Sequence, residues 1–275
     1  QLWVSGRRLT PKQVKLPAKA ARPIPIGGFE HENVRSAAHG LSLNWPVAGD
    51  VIKGQDFDTW IRRSLNDEVI LNNLNKAAGT AQAIQSSPKA DDARLVAKVV
   101  MALDTSGPVR HKGFASHIDG IGPTLAVVFQ DDILRKQVED LITSGILKQW
   151  LALQGRVKTE LMNTYGILEK IQTMVALPGP GFGIERCLYE LNPYGHCISP
   201  MIEHLYITQS SELIPALEAV AHDENLPPMP IDRHVAAFLA SHSEHIDERI
   251  LRPLTHKDNR PADEALKVMR ILARV

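Results

Sequence analysis

Apolar residues in this chain recur every three to four positions over long stretches, and that spacing constrains the fold more than any other feature. From Asp56 or Asp58, either of which can cap a helix, it runs through Trp60, Ile61, Leu65, Ile70, Leu74, Ala78 and Ala81. Residues at this spacing return to one side of an α-helix, so the pattern buries a single face. Ser87-Pro88 reads as a second start, with Ser as N-cap and Pro at the first helical position. Leu95, Val96, Val99, Val100 and Leu103 form the stripe behind it, and Gly107-Pro108 stops it. A third helix is expected from about Asp131, with Ile133, Leu134, Val138, Leu141 and Ile142 on one face and Gly145 at its C′ position. Further helices are expected over 184–191, 213–221, around 235–239 and over 262–275, where Leu266, Met269, Ile271 and Leu272 are the apolar positions. The expected fold class is therefore mainly α, a multi-helix protein with a small β-hairpin or winged-helix-like element near 148–162.

Composition agrees with that class. The 275 residues are 44% hydrophobic and 23% charged, as in ordinary soluble domains. Aromatic residues make up 5%, a share that suits helices better than a β-sandwich or barrel. Two Cys exclude a disulfide scaffold. The longest purely apolar run, 125–129, is far too short to span a bilayer. No signal-peptide pattern is visible, and a cytoplasmic location is expected. Lys+Arg and Asp+Glu both number 31, which argues against a nucleic-acid binder or a membrane binder that works by bulk positive charge.

That neutral balance hides an asymmetry. Residues 1–28 carry Arg7, Arg8, Lys12, Lys15, Lys19 and Arg22 with no acid, and are broken by four prolines. They read as an extended arm or linker. Residues 201–250 hold nine acids against Arg233 and Arg249. The expected organisation is an arm over 1–28, a helical core over 29–200 and a helical C-terminal unit over 201–275 that is separate or continuous with the core. The arm's Arg7, Arg8, Lys12, Lys15 and Lys19 are the expected contacts to an acidic protein partner. Self-association through the basic 1–28 and acidic 201–250 regions follows from the same charges.

Four further features carry candidate chemistry. Gly179, Gly181 and Gly183 lie in Leu-Pro-Gly-Pro-Gly-Phe-Gly over 177–183, between a strand expected over 173–177 and the helix over 184–191. Strand, glycine loop and helix together present N–H groups to a phosphate, although Pro178 and Pro180 remove two donors. Cys187, His196, Cys197 and His204 are zinc-ligand types without zinc-module spacing, so no metal is expected. His234, His242 and His245, with Glu244, Asp247 and Glu248, would cluster if one helix carried them, and read as a solvated acidic face. The loop over 107–123, with His111 and His117, is long enough to be functional or mobile.

Beyond these four lies the order helix, Gly145, Ile146-Leu147, then residues 148–162 turning at Gln154-Gly155. Over 131–162 the chain resembles the winged-helix superfamily, which implies a wing hairpin at 148–162. Arg135 and Lys136 are offset by Asp131, Asp132, Glu139 and Asp140, so the resemblance implies protein contacts sooner than DNA reading. No nucleophile elbow, P-loop, kinase motif set or EF-hand loop is present, and no cofactor is called for. The leading expectation is a non-catalytic protein-interaction or regulatory module of a larger protein or assembly. The alternatives are an enzyme binding a phosphorylated ligand at 177–183, and a winged-helix DNA-binding protein.

Overall fold

The computed structural model describes residues 16–154, 159–222, 229–256 and 260–275. By its internal contacts the chain divides into two compact units, Gln1–Asp104 and Thr105–Val275. Among the described residues there are fifteen α-helices and two two-stranded antiparallel hairpins, so the protein is mainly α.

The first unit opens with a hairpin, β1 (Ile24–Ile26) and β2 (Phe29–His31), turning at Gly27-Gly28. Ala20, Ile24 and Ile26 are buried, and Trp60 donates its indole N–H to the Arg22 carbonyl at 2.9 Å. From Ala20 onward the basic segment is thus built into the unit. Arg7, Arg8, Lys12 and Lys15 lie outside the described residues, and Lys19 pairs with Glu32 at 2.9 Å. Next come α1 (Val34–Leu43), capped by the Asn33 side chain, and α2 (Trp45–Lys53).

The apolar run from residue 56 to 81 is not one helix. It divides into α3 (Gln55–Thr59), a wide π-helical turn (Trp60–Leu65), α4 (Glu68–Ala78) and α5 (Ala81–Gln85). The break is local chemistry: Asn66 is left-handed, and the Asp67 carboxylate accepts from the Val69 and Ile70 N–H groups, so a new helix starts there. Ser87-Pro88 starts a 3-10 turn (Lys89–Asp91) that leads into α6 (Asp92–Leu103). Every residue of α6 from Leu95 to Leu103 except Lys98 is buried, and α1, α2 and α4 pack around it. A helix apolar on most sides is a core helix, and α6 is the one this unit is built on.

The second unit also opens with a hairpin, β3 (Val109–His111) and β4 (Phe114–Ser116), inside the stretch expected to be loop. Then follow α7 (Ile121–Val128), α8 (Asp132–Thr143, capped by Asp131), α9 (Ile146–Leu153) and α10 (Thr159–Met174). On α8, Val138, Leu141 and Ile142 are buried as expected, whereas Ile133 and Leu134 face solvent. The wing hairpin expected over 148–162 is absent among the described residues: 146–153 and 159–162 are helical, and 155–158 lie outside them. Ile146, Leu147 and Leu151 are buried at helical spacing, which an alternating strand could not do. The strand expected over 173–177 is likewise the end of α10 and the turn after it.

The remaining helices are α11 (Gly183–Leu191), α12 (Leu213–Val220), α13 (Arg233–His242, capped by Asp232), α14 (Glu248–Leu251, capped by Asp247) and α15 (Pro261–Leu272). Helix α11 is central, packed against α7, α10 and α13. Its end approaches α7 so closely that a Cβ on Gly122 would stand 2.5 Å from the Leu191 carbonyl oxygen. Asn192 secures the crossing by donating to the carbonyls of Gly122 and Leu188.

Burial also sets a pH response. His111 is buried in β3; that burial, with the Lys112 charge and against Asp140, pushes its pKa down to about 4. The folded chain keeps the ring neutral, while the unfolded chain takes up a proton near 6.5. Stability is therefore full above that value and is lost as pH falls toward 4. Between pH 7 and pH 5 the loss from this group is about 2 kcal/mol. Urea midpoints at the two pH values check it: His111→Gln is expected to remove most of that decline, and an unchanged decline contradicts the assignment.

Candidate functional site

Between α14 and α15 the fold gathers basic side chains around a concavity. Asp247 starts α14 by accepting from the Arg249 and Ile250 N–H groups, and fully buried Leu251 anchors it. A 3-10 turn (Arg252–Thr255) follows. Helix α15 is anchored by Val268 and Ile271, its buried positions. Lys267, Arg270 and Arg274 recur at i, i+3 and i+7, so they share one side of α15. Together with Arg249, Ile250, Pro253 and Ala273 they line a groove of about 520 Å³. A shallower hollow beside it is lined by Asp247, Glu248, Arg249 and Arg252.

The cations here differ in how they are satisfied. Arg252 pairs loosely with Glu248 at 3.6 Å. Lys267 donates to the His256 carbonyl and pairs with Glu264 at 3.3 Å. Arg249, Arg270 and Arg274 are exposed and have no side-chain hydrogen bond or ion pair among the described residues. Like charges three and four apart cost a helix about 0.2–0.5 kcal/mol per pair. The helix dipole returns part of that at Arg270, in the last turn. Three guanidinium groups, each with five donors, are left facing water around a partly apolar hollow. Such a set of donors is chemically suited to carboxylates or other oxyanions.

The residues singled out from sequence fall elsewhere. Gly179, Gly181 and Gly183 all have positive φ, and the loop is packed: a Cβ on Gly181 would stand 2.6 Å from Leu251 Cδ1. Gly181→Val is thus expected to destabilise the protein by about 3 kcal/mol or more, through strain at φ +85° and the clash with Leu251. A thermal melt checks this, and an unchanged melting temperature contradicts the packing. At the start of α11, Glu185 receives two hydrogen bonds from Arg233, at 2.7 and 2.9 Å. Burial pushes its carboxyl up, but the bonds from Arg233 and from its own backbone N–H, with Arg233's charge, outweigh this and hold it below the ordinary value. The helix end that a phosphate would need already carries a carboxylate.

Cys187 and Cys197 are free and buried. Burial pushes the Cys187 thiol far up and Cys197 to about 11, so neither is a thiolate at neutral pH. His196 stacks on Tyr206 at 4.4 Å, and His204 sits in a 3-10 turn (Glu203–Leu205). Among the described residues no group of three or more His, Cys, Asp or Glu is placed to hold a metal ion.

The three histidines after residue 230 do not share a helix, because α13 ends at His242 and His245 lies in the turn before α14. His234 contacts the Tyr189 hydroxyl at 3.1 Å and is held below its ordinary pKa, chiefly by burial. His242 stacks on Phe238. Of the acids, Glu244 is exposed in the turn, and exposed Asp247 and half-buried Glu248 form the cap and first turn of α14 beside the groove.

Sequence reasoning missed Arg249, Arg270 and Arg274. For the last helix the signal is the i, i+3, i+7 run of Lys267, Arg270 and Arg274 beside its apolar positions. Two of those positions, Leu266 and Met269, are 43% and 57% exposed; Val268 and Ile271 form the inner face. No helix among the described residues is long and apolar enough to cross a membrane. Comparison with protein-family models, with curated proteins and with solved structures finds no match to this chain.

Proposed function

We propose that the chain is a non-catalytic protein-interaction module whose groove between α14 and α15 receives an acidic segment of another protein. The observation that carries this is the set of guanidinium groups of Arg249, Arg270 and Arg274 around one concavity, with no ion pair among the described residues. Charge-assisted hydrogen bonds from Arg to carboxylate are the strongest polar contacts such a surface makes. The acidic partner is the one expected for the basic residues 1–28, which are proposed to add long-range attraction. The groove makes the contact without catalysis, in keeping with a regulatory or scaffolding part in a larger assembly. Where a DNA-reading winged helix needs its wing, the described residues 146–153 and 159–162 are helical, and the phosphate reading meets Glu185 at the helix end it requires.

Fluorescein-labelled poly-L-glutamate titrated with the full chain tests the proposal by anisotropy. Saturable binding that weakens steeply between low and about 0.5 M salt is expected, because the contacts are exposed and screened. Absence of binding at low salt contradicts it.

A further inference from the structure

On the proposed acidic-partner reading, we infer that the partner segment is an amphipathic helix with its carboxylates along one edge and an apolar stripe beside them. The outward side of α15 carries two parallel rows. Arg270 and Arg274 form one, with Lys267, its side chain only 12% exposed and held by Glu264 and the His256 carbonyl, at its inner end; Leu266, Met269 and Ala273, spaced i, i+3 and i+7, form the other. Each row runs about 10 Å along the helix. Leu266 and Met269 are the large exposed hydrophobic side chains of this helix. An acidic coil or a free phosphate would satisfy Arg270 and Arg274 and leave the apolar row in water. A helix laid along α15 covers both rows at once, since its own side chains repeat at the same period.

The arrangement also separates this partner from an anionic bilayer. A helix lying in a membrane surface carries bases on its whole polar side, with the apolar side opposite. Here the bases lie on one edge only, the other edge being Ala265 and half-buried Leu272, and they line a concave groove together with Ile250 and Pro253. A flat surface cannot enter that groove, and a single helix edge can.

The test uses the full chain and three probes, read by fluorescence anisotropy and co-sedimentation. The first is a labelled two-heptad peptide with Leu at i, i+3 and i+7 and Glu on the adjacent edge. The second is a scramble of the same composition, and the third is vesicles of phosphatidylserine and phosphatidylcholine. Poly-L-glutamate is the reference for charge alone. The patterned peptide is expected to bind about tenfold tighter than its scramble. The exposed-site double variant Leu266→Ser/Met269→Ser is expected to erase that preference while still binding poly-L-glutamate. Equal binding of patterned and scrambled peptides, with poly-L-glutamate still bound, overturns this inference and leaves the interaction module standing. Loss of binding to poly-L-glutamate and both peptides overturns both. Vesicle binding without a preference between the peptides overturns the inference in favour of a membrane surface.

Discussion

Reversing Arg270 and Arg274 to glutamate is expected to weaken binding of an acidic segment by about 100-fold while leaving the fold in place. Both side chains are exposed and make no ion pair among the described residues, so the reversal breaks none there. The inner face of α15, held by Val268 and Ile271, is untouched. Negative charge in the last turn opposes the helix dipole, at a cost of about 0.3–1 kcal/mol. Melting should therefore drop by only a few degrees, about 2–4 °C for a unit of this size. Replacement by glutamine is expected to cost less than reversal, since it removes attraction without adding repulsion. Unchanged affinity in the reversal variant would place the binding surface elsewhere.

The second large effect is on stability. Arg186 and Glu190 are one helical turn apart on α11, with side chains only 7% and 10% exposed. Arg186 Nε donates to Glu190 Oε1 at 2.6 Å, and Lys170 reaches the same oxygen at 2.7 Å. Glu190→Leu strands the Arg186 guanidinium in the interior and is expected to cost about 3–5 kcal/mol. Arg186→Met is expected to cost less, because Lys170 still satisfies the carboxylate. The double variant Arg186→Met/Glu190→Leu is expected to recover most of the Glu190→Leu loss, since Lys170 is 43% exposed and can turn to water. Urea denaturation of the three variants measures this. Losses that simply add would show that the two groups do not act as a pair.

The helices were legible where local chemistry and burial coincide. The α6 stripe of Leu95, Val96, Val99, Val100 and Leu103 is buried throughout, and Gly145 adopts the left-handed conformation expected of a C′ residue. Reading failed where one local group overrules periodicity. The Asp67 cap and left-handed Asn66 split an apolar run that spacing alone joins. The wing expected over 148–162 rests on a turn at Gln154-Gly155, whereas burial of Ile146, Leu147 and Leu151 in α9 shows helical period.

The groove was harder to see for a different reason. Helical wheels place Lys267, Arg270 and Arg274 together, but they do not show which side faces in. Leu266 and Met269 looked like core, and only packing through Val268 and Ile271 turns the basic side outward. Arg249 joins them from a segment whose overall charge is acidic, a juxtaposition set by tertiary structure. Charge counted along the chain therefore pointed to the two ends as opposites, while folding builds a cationic hollow within residues 249–274.

The most direct measurement follows the arginine side-chain Nε–Hε signals of ¹⁵N-labelled protein as poly-L-glutamate is added. Arg249, Arg270 and Arg274 are expected to shift together, to saturate at one concentration, and to return when salt is raised to about 0.5 M. Shifts confined to other arginines, or none at these three, would contradict the assignment of the groove between α14 and α15 as the acidic-partner site.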